Sequence, residues 1–173
     1  DKLFPPTFGD TVKIEIAGQE HETKYAVERR RLGAESHWCV LLDSVASQAN
    51  RMEEALLHGW EEDRLPIPMV RVDFTGQTDE DPALDLSSMG GDGYLTALEL
   101  PHRLADALLR DSLLDGERFR AAPPGRRFTT AAPHNATPVF ELCPSALVFG
   151  MWDSTGPKGG QGAKFQRALV SEI

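Results

Sequence analysis

A glycine-rich stretch near the end of the sequence carries the residue types that bind anions. It runs from Met151 to Arg167 and contains four glycines, two lysines and one arginine. Glycines let the backbone approach a ligand closely, and successive backbone N–H groups with lysines beside them attract phosphate. Trp152 and Phe165 bracket the stretch, and each could offer a flat face to a base. The pattern predicts contact with the phosphate backbone of a nucleic acid. The alternative is a flexible loop whose charges only aid solubility.

More specific motifs do not fit this stretch. A Walker A loop requires Gly-Lys-Ser/Thr, which neither lysine satisfies. A nucleophile elbow requires glycine two residues before the serine, a position that Trp152 occupies relative to Ser154. The predicted binding residues of the stretch are Trp152, Ser154, Thr155, Lys158, Gly159, Gly160, Gln161, Lys164, Phe165, Gln166 and Arg167.

The first predicted helix supplies a second set of candidate binding residues. Asp43 or Ser44 can cap a helix whose apolar residues recur on one stripe and which ends near Gly59. Free N–H groups at a helix start attract phosphate, and polar side chains in the first turns extend the set of donors. The candidates are Ser44, Ser47, Gln48, Asn50 and Arg51. The alternative is ordinary capping and solvation.

A run of arginines forms the third candidate. Four arginines and no acid lie from Arg118 to Arg127. We predict that Phe119–Phe128 forms a protruding hairpin around its Pro-Gly turn, both basic and aromatic, that touches nucleic acid. A plain linker is the alternative. The possible hairpin contacts are Arg118, Arg120, Arg126 and Arg127.

Candidate metal ligands are sparse. His102 and Asp106 lie four residues apart on a predicted helix, but no third ligand has helical or short-loop spacing. We therefore predict no metal, no cofactor and no catalytic residue. A metal-dependent nuclease that uses these residues with Asp153 stays an alternative. Cys39 and Cys143 lie in separate apolar runs without a C-x-x-C motif, which predicts two reduced, buried cysteines.

The overall composition limits the possible partners. The chain has 173 residues, of which 40% are hydrophobic, enough for one domain-sized core. Its net charge of −9 argues against a general nucleic-acid coat, so any polyanion contact must be local. No window has the apolar length of a membrane-spanning helix and no signal peptide begins the chain, which favours the cytoplasm. Because the sequence lacks a starting Met and stops at Ile173 within an element, we expect a longer protein.

The order of predicted elements indicates an α+β fold. Alternating or continuous apolar runs predict strands at Thr11–Ile16, Trp38–Leu42 and Pro66–Phe74. The first helix follows the second of these strands. An acidic stretch without periodicity, residues 75–93, should be a flexible insertion.

The second half of the chain completes this order. Pro101 should begin a second helix, whose buried stripe is Leu104, Ala105, Leu108 and Leu109. Apolar strands should flank the glycine-rich stretch, with Ala146–Trp152 leading in and Ala168–Val170 leading out. We therefore predict one domain over residues 1–173 with a ferredoxin-like or RNA-recognition-type sheet.

Several blocks of the sequence resemble one known family, the CRISPR-associated RAMP-superfamily backbone subunit of type I-G (formerly I-U) Cascade effector complexes. The longest block is specific, and together the blocks extend over most of the chain. The blocks are Leu41–Ala55, Pro101–Ser112, Ala136-Thr137, Phe140–Pro144, Ala146–Gly160 and Gly162–Arg167.

This resemblance implies a modified RNA-recognition (RAMP) fold with inserted elements and a hairpin, in a subunit without catalytic activity. Several copies would stack along one guide CRISPR RNA, grip its backbone and present it to a target DNA strand in antiviral defence. The other implied partners are further Cascade subunits and a separate helicase-nuclease. Besides the nuclease, a protein-interaction subunit without direct RNA contact is a further alternative.

Overall fold

Helices and small antiparallel sheets occur together in this protein. The computed structural model describes residues 5–75, 93–156 and 163–173. They form two compact units, one from the residues up to Met52 together with Val170–Ile173, and one from residues within Glu53–Leu169. The predicted α+β class is confirmed, and the elements are compatible with a RAMP-like fold. Most of the predicted insertion at residues 75–93 lies outside the described residues.

Two β-hairpins dominate the first unit. Their strands are β1 (Thr7–Ile16), β2 (Gln19–Tyr25), β3 (Val27–Leu32) and β4 (Glu35–Val40), paired in that order. Each turn contains a glycine with positive φ, Gly18 at 79° and Gly33 at 67°, as two-residue hairpin turns prefer. The two strands predicted in this region are confirmed. Cys39 on β4 is only partly buried, so its predicted burial is wrong, whereas Cys143 in the second unit is buried; both are free thiols.

Helix α1 (Val45–Glu61) follows the hairpins where the sequence predicts it. The Ser44 Oγ accepts a hydrogen bond from the Ser47 backbone N–H at 3.2 Å, which is the predicted N-terminal cap. The chain leaves the helix at Asp63, whose φ is 55°, and the Gly59 carbonyl accepts from two later backbone N–H groups. The local capping signals therefore fixed both ends of this helix to within two residues.

The second unit contains short elements around one apolar core. The largest of its fully buried apolar side chains are Phe128, Leu104 and Val139. The elements are β5 (Arg71–Asp73), β6 (Tyr94–Thr96), a 3-10 turn (Arg103–Ala105), α2 (Ala107–Asp111), β7 (Leu113–Leu114), β8 (Glu117–Arg118), α3 (Pro123–Thr129), α4 (Thr137–Leu142), α5 (Ser145–Val148), β9 (Met151–Trp152) and β10 (Lys164–Phe165).

The predicted second helix is broken in two. Asp106 has extended backbone angles, and its carboxylate accepts a hydrogen bond from the Leu108 N–H at 3.0 Å, so it caps α2 and separates it from the 3-10 turn. Before the break, Arg103 has a φ of 50°, outside the helical region. The predicted stripe is correct for the buried Leu104 and Leu109 but wrong for Leu108, which is 41% exposed.

The apolar run before the glycine-rich stretch is mostly helical rather than a strand. Residues 145–148 form α5, and only the last two residues of the predicted strand Ala146–Trp152 belong to β9. Ala168–Val170 is not a strand either, because the ladder ends at Phe165. A short apolar run fits a buried strand and a buried helical turn equally well, so periodicity could not decide between them.

The predicted hairpin at Phe119–Phe128 is wrong. Pro123 and Pro124 begin helix α3, because a proline in the first helical turn forfeits no hydrogen bond. The actual hairpin, β7–β8, precedes it and turns at Asp115-Gly116, both with positive φ. Asp-Gly is a strong hairpin signal that the arginine pattern obscured.

A substitution at Gly125 tests how α3 packs against the preceding segment. A Cβ atom built on Gly125 would lie 1.8 Å from the Phe119 carbonyl oxygen, so alanine cannot fit without a backbone shift. We expect Gly125→Ala to lower the free energy of unfolding by about 2–3 kcal/mol, measured by urea denaturation. Gly9→Ala is the control, since a Cβ on Gly9 meets no atom within 4 Å. Equal effects of the two substitutions would contradict this packing.

Candidate nucleic-acid interface

The glycine-rich stretch contains the two strands of a short antiparallel hairpin and the loop that connects them. Lys164 pairs with Trp152 and Phe165 with Met151, and the Asp153 N–H extends the ladder by donating to the Ala163 carbonyl at 2.9 Å. We call residues 153–163 the glycine-rich loop. Two strands do flank the loop, but they are only two residues long, and the outgoing strand is Lys164–Phe165 rather than the predicted Ala168–Val170.

The two faces of this hairpin differ in exposure. Met151 and Phe165 point into the core, with 5% and 8% of their surface exposed, while Trp152 is 51% exposed and Lys164 is exposed. The predicted stacking face on Phe165 is therefore wrong in this arrangement, because strand alternation directs its ring inward. Trp152 keeps an accessible face.

Lys164 and Trp152 form one exposed cation–aromatic pair. The Lys164 Nζ lies 6.0 Å from the centre of the Trp152 ring, at the outer limit of a cation–π contact. Within the described residues, Lys164 forms no salt bridge. Its charge thus stays available to an anion beside an aromatic face.

A buried ion pair anchors the start of the loop. Asp153 is 3% exposed, and its two carboxylate oxygens accept from the Nη1 and Nη2 of Arg120 at 2.7 and 2.8 Å. The guanidinium also lies 5.2 Å from the centre of the Phe128 ring. Gly156 approaches this pair so closely that a Cβ there would lie 2.5 Å from Asp153 Oδ2. The predicted nucleic-acid contact of Arg120 is therefore wrong, since its guanidinium is already paired with the Asp153 carboxylate.

A second buried ion pair holds the residue before β9. Arg103 donates to both carboxylate oxygens of Glu53 at 2.6 and 2.7 Å and to the Gly150 carbonyl at 2.8 Å. Gly150 has a φ of 83°, and a Cβ there would press against the Phe165 carbonyl. Glycine is therefore required where the chain enters the hairpin. Sequence reasoning missed Arg103 and Glu53, because no local pattern links residues fifty positions apart.

Four other predicted residues of the stretch have no side-chain contact among the described residues that assigns them a role. Ser154, Thr155, Gln166 and Arg167 are exposed. The remaining four, Lys158, Gly159, Gly160 and Gln161, lie outside the described residues.

The candidate residues at the start of α1 converge on a carboxylate. Asp43 is 8% exposed and accepts from Gln48 Nε2 at 2.6 Å and from Arg51 Nε at 3.0 Å. Hydrogen bonds from the side chains of Ser47 and Gln48 hold the pKa of Asp43 below its usual value. Ser44 is the cap, as the capping alternative predicts, whereas Gln48 and Arg51 donate to Asp43. Asn50 is exposed, and a nucleic-acid contact of these residues stays a prediction.

The remaining arginines of the third candidate are divided between two elements. Arg118 is exposed on β8, Arg126 is exposed on α3, and Arg127 forms a salt bridge with Glu141 at 2.5 Å. These side chains do not share a hairpin, because the Pro-Pro-Gly segment between them is helical.

The residues of the nuclease alternative have other partners. The Asp106 carboxylate accepts from the Leu108 N–H, and the Asp153 carboxylate is held by Arg120. In the part of the chain that the structure describes, no three His, Cys, Asp or Glu side chains are grouped as a metal site. These contacts give both aspartates structural roles.

The Arg120–Asp153 pair can be tested by removing one or both charges. Asp153→Ala should lower the free energy of unfolding by about 3–5 kcal/mol in urea denaturation, because it leaves the Arg120 charge buried without a partner. The double variant Arg120→Met/Asp153→Ala should lose less. Arg64→Ala, which removes an exposed salt bridge with Glu62, is the control and should change stability by less than about 1 kcal/mol. An Asp153→Ala effect no larger than this control would refute the anchor.

The Asp43 contacts predict a pH dependence. Because its folded-state pKa is lowered, ionised Asp43 stabilises the fold above the unfolded-state pKa of about 4. This contribution is lost as the pH falls through the folded-state pKa. Asp43→Asn should therefore lower the urea midpoint at pH 7, and its difference from the wild type should shrink below pH 4. The exposed Asp10→Asn is the control, and a difference that does not change with pH would contradict the assignment.

A family comparison adds to this geometry. The sequence matches the family described as CRISPR-associated protein GSU0053 over residues 1–173, its whole length. Neither a curated protein nor a solved structure matches the sequence. None of the helices in the described ranges has the length and apolar character needed to cross a membrane. The chain therefore belongs to the CRISPR-associated protein GSU0053 family.

Proposed function

We propose that this chain is a non-catalytic, guide-RNA-binding backbone subunit of a type I-G CRISPR effector complex. It grips the phosphate backbone of the guide with the glycine-rich loop and the exposed face of β9–β10. Several copies stack along one guide RNA and present it to a target DNA strand. Other subunits and a separate helicase-nuclease complete the complex. Family membership supports the CRISPR setting, and the RNA contact is inferred from the site.

The observation that carries the proposal is the exposed Lys164–Trp152 pair at the base of the glycine-rich loop. Aromatic faces with adjacent cations are the usual contacts for single-stranded nucleic acids, since a ring stacks on a base and the cation meets a phosphate. Lys164 forms no salt bridge in the described ranges, so a phosphate need not displace a protein carboxylate.

The buried ion pairs also support this proposal, because they hold both ends of β9 in place. Arg120 holds Asp153 at one end of β9, and Arg103 holds Gly150 at the other. A hairpin fixed on both sides loses little conformational freedom when it binds, so more of the interaction energy appears as affinity.

The acidic composition is compatible with this role. A net charge of −9 would oppose a broad RNA-coating surface. Copies that bind one guide add their modest phosphate contacts along a shared strand, so no copy needs a strongly basic surface. The nuclease alternative has less support because the carboxylates it requires already accept hydrogen bonds within the fold.

Removal of the two lysines tests the RNA contact. The double variant Lys158→Ala/Lys164→Ala should bind single-stranded guide RNA more weakly, with a smaller dependence on salt. Each lost phosphate contact reduces the slope of log K against log salt by about 0.7, so two contacts reduce it by about 1.4. Filter binding of the full chain over a salt titration measures both quantities.

A control with the same change in charge makes this test specific. Lys13→Ala/Lys24→Ala removes two exposed lysines from the β1–β2 hairpin. Its salt slope should equal that of the wild type. If the loop variant also keeps the wild-type slope, the lysines do not meet phosphates and the proposed mechanism is wrong.

A further inference from the structure

The two faces of the β3–β4 hairpin in the first unit differ in charge. Directly paired residues of an antiparallel sheet point to the same face, so the register sorts the side chains into two sets. One face carries Glu28, Arg30 and Glu35, and Arg30 donates to the carboxylates of Glu28 and Glu172, so its charge is matched. The other face, which we call the arginine face, carries no acidic residue. Its residues are Val27, Arg29, Arg31, Ser36, Trp38 and Val40.

Neutral groups hold the two arginines of this face. The Arg29 guanidinium lies 5.9 Å from the centre of the Trp38 ring, and the Arg31 Nε donates to the Gly33 carbonyl at 3.2 Å. Both arginines are exposed, and among the described residues neither forms a salt bridge. A ring or a carbonyl orients a guanidinium without neutralising it. The arginine face therefore presents two oriented positive charges whose remaining N–H groups can bind an anion.

Trp38 is fixed beside these charges. Its Nε1 donates to the backbone carbonyl of Glu15 at 2.7 Å, which holds the indole in one orientation. The Glu15 carboxylate forms no salt bridge with either arginine. Because Trp38 is partly exposed, part of its ring is accessible to a ligand. A fixed aromatic surface next to oriented cations is the arrangement that binds single-stranded nucleic acids.

The spacing of the arginines suits a chain of phosphates. Arg29 and Arg31 are two residues apart on one strand, so their Cα atoms are about 6.6 Å apart. Neighbouring phosphates of an extended single strand have a similar separation. Each guanidinium can donate two parallel hydrogen bonds to one phosphate. An acidic protein segment could also meet the two charges, but it would not use the aromatic surface between the strands.

We propose that the arginine face of the β3–β4 hairpin is a second binding site for a single-stranded nucleic acid, separate from the glycine-rich loop. Arg29 and Arg31 bind neighbouring phosphates, and Trp38 contacts the base or sugar between them. The inference rests on the proposed function only in requiring a nucleic-acid partner, since its residues belong to the other unit of the chain. The guide RNA and the target DNA strand share this backbone chemistry, so either can be the strand that binds here.

Two double variants of the full chain test this site by filter binding over a salt titration, with a single-stranded RNA and a DNA of the same sequence. Arg29→Gln/Arg31→Gln should weaken binding at least about tenfold, because it removes two charged hydrogen-bond donors. It should also reduce the slope of log K against log salt by about 1.4, which is two phosphate contacts. Arg29→Lys/Arg31→Lys should keep the wild-type slope but not the wild-type affinity, because lysine keeps the charge and lacks the planar fork.

The controls separate a local contact from a general effect of charge or folding. Lys13→Ala/Lys24→Ala removes the same number of charges from the β1–β2 hairpin and should keep both the slope and the affinity. Arg29→Gln and Arg31→Gln alone should each reduce the slope by about 0.7. Both side chains are exposed, so the variants should fold, and circular dichroism should match the wild type.

The outcomes distinguish this inference from the proposed contact of the glycine-rich loop. A weaker slope with RNA alone or with DNA alone supports the site and identifies its strand. A wild-type slope of Arg29→Gln/Arg31→Gln on both strands would overturn the site, even if Lys158→Ala/Lys164→Ala loses RNA. The reverse result would leave the arginine site standing and remove the loop contact. Unchanged strand binding with lost binding of poly-L-glutamate would overturn the inference and assign the face to an acidic protein.

Discussion

The buried ion pair between Arg120 and Asp153 is the constraint on which the candidate interface depends. A buried carboxylate is tolerated only when its charge and its lone pairs are matched, and Arg120 matches both oxygens of Asp153 through two parallel hydrogen bonds. Asp153 directly follows β9, so the pair fixes the direction in which the chain enters the glycine-rich loop. Gly156 also lies close to this carboxylate, so the pair constrains the backbone three residues further along the chain.

The described cations that lie over aromatic rings fall into two groups. Arg103 lies near the Phe149 ring and Arg120 near the Phe128 ring, and both are buried and neutralised by carboxylates. The exposed cations Arg29, Arg71 and Lys164 also lie over aromatic rings, but none of them has a salt bridge in the described part of the chain. Of the cations that lie over aromatic rings, the buried ones are therefore paired within the fold, and the exposed ones form no salt bridge among the described residues.

This division is compatible with the polyanionic partner that we propose for this acidic protein. Most acidic side chains can face solvent, while a few cations held over aromatic rings provide local positive sites. An aromatic ring orients the cation without neutralising it, whereas a carboxylate would do both. The same arrangement at Lys164 suits the phosphate contact that we propose.

Local signals in the sequence determined several features by themselves. The Ser44 cap and the apolar stripe fixed α1, because capping and periodicity act within a few residues. The alternation of Val12 and Ile14 with polar residues predicted β1, and the glycine-rich stretch indicated a loop between two strands. The resemblance of several blocks to a CRISPR-associated family agrees with the family that the whole chain matches.

Tertiary structure decided the features that depend on distant partners. Whether the apolar run at residues 145–148 became helix or strand depended on what it packs against, since its length suits either. The register of β9 and β10 turned Phe165 inward and Trp152 outward, a choice that the aromatic residues alone could not reveal. Arg120 looked like a nucleic-acid contact until the fold brought Asp153 to it from 33 residues away. The sequence shows which charges the chain carries. Only the folded structure shows which of these charges are already paired with another residue.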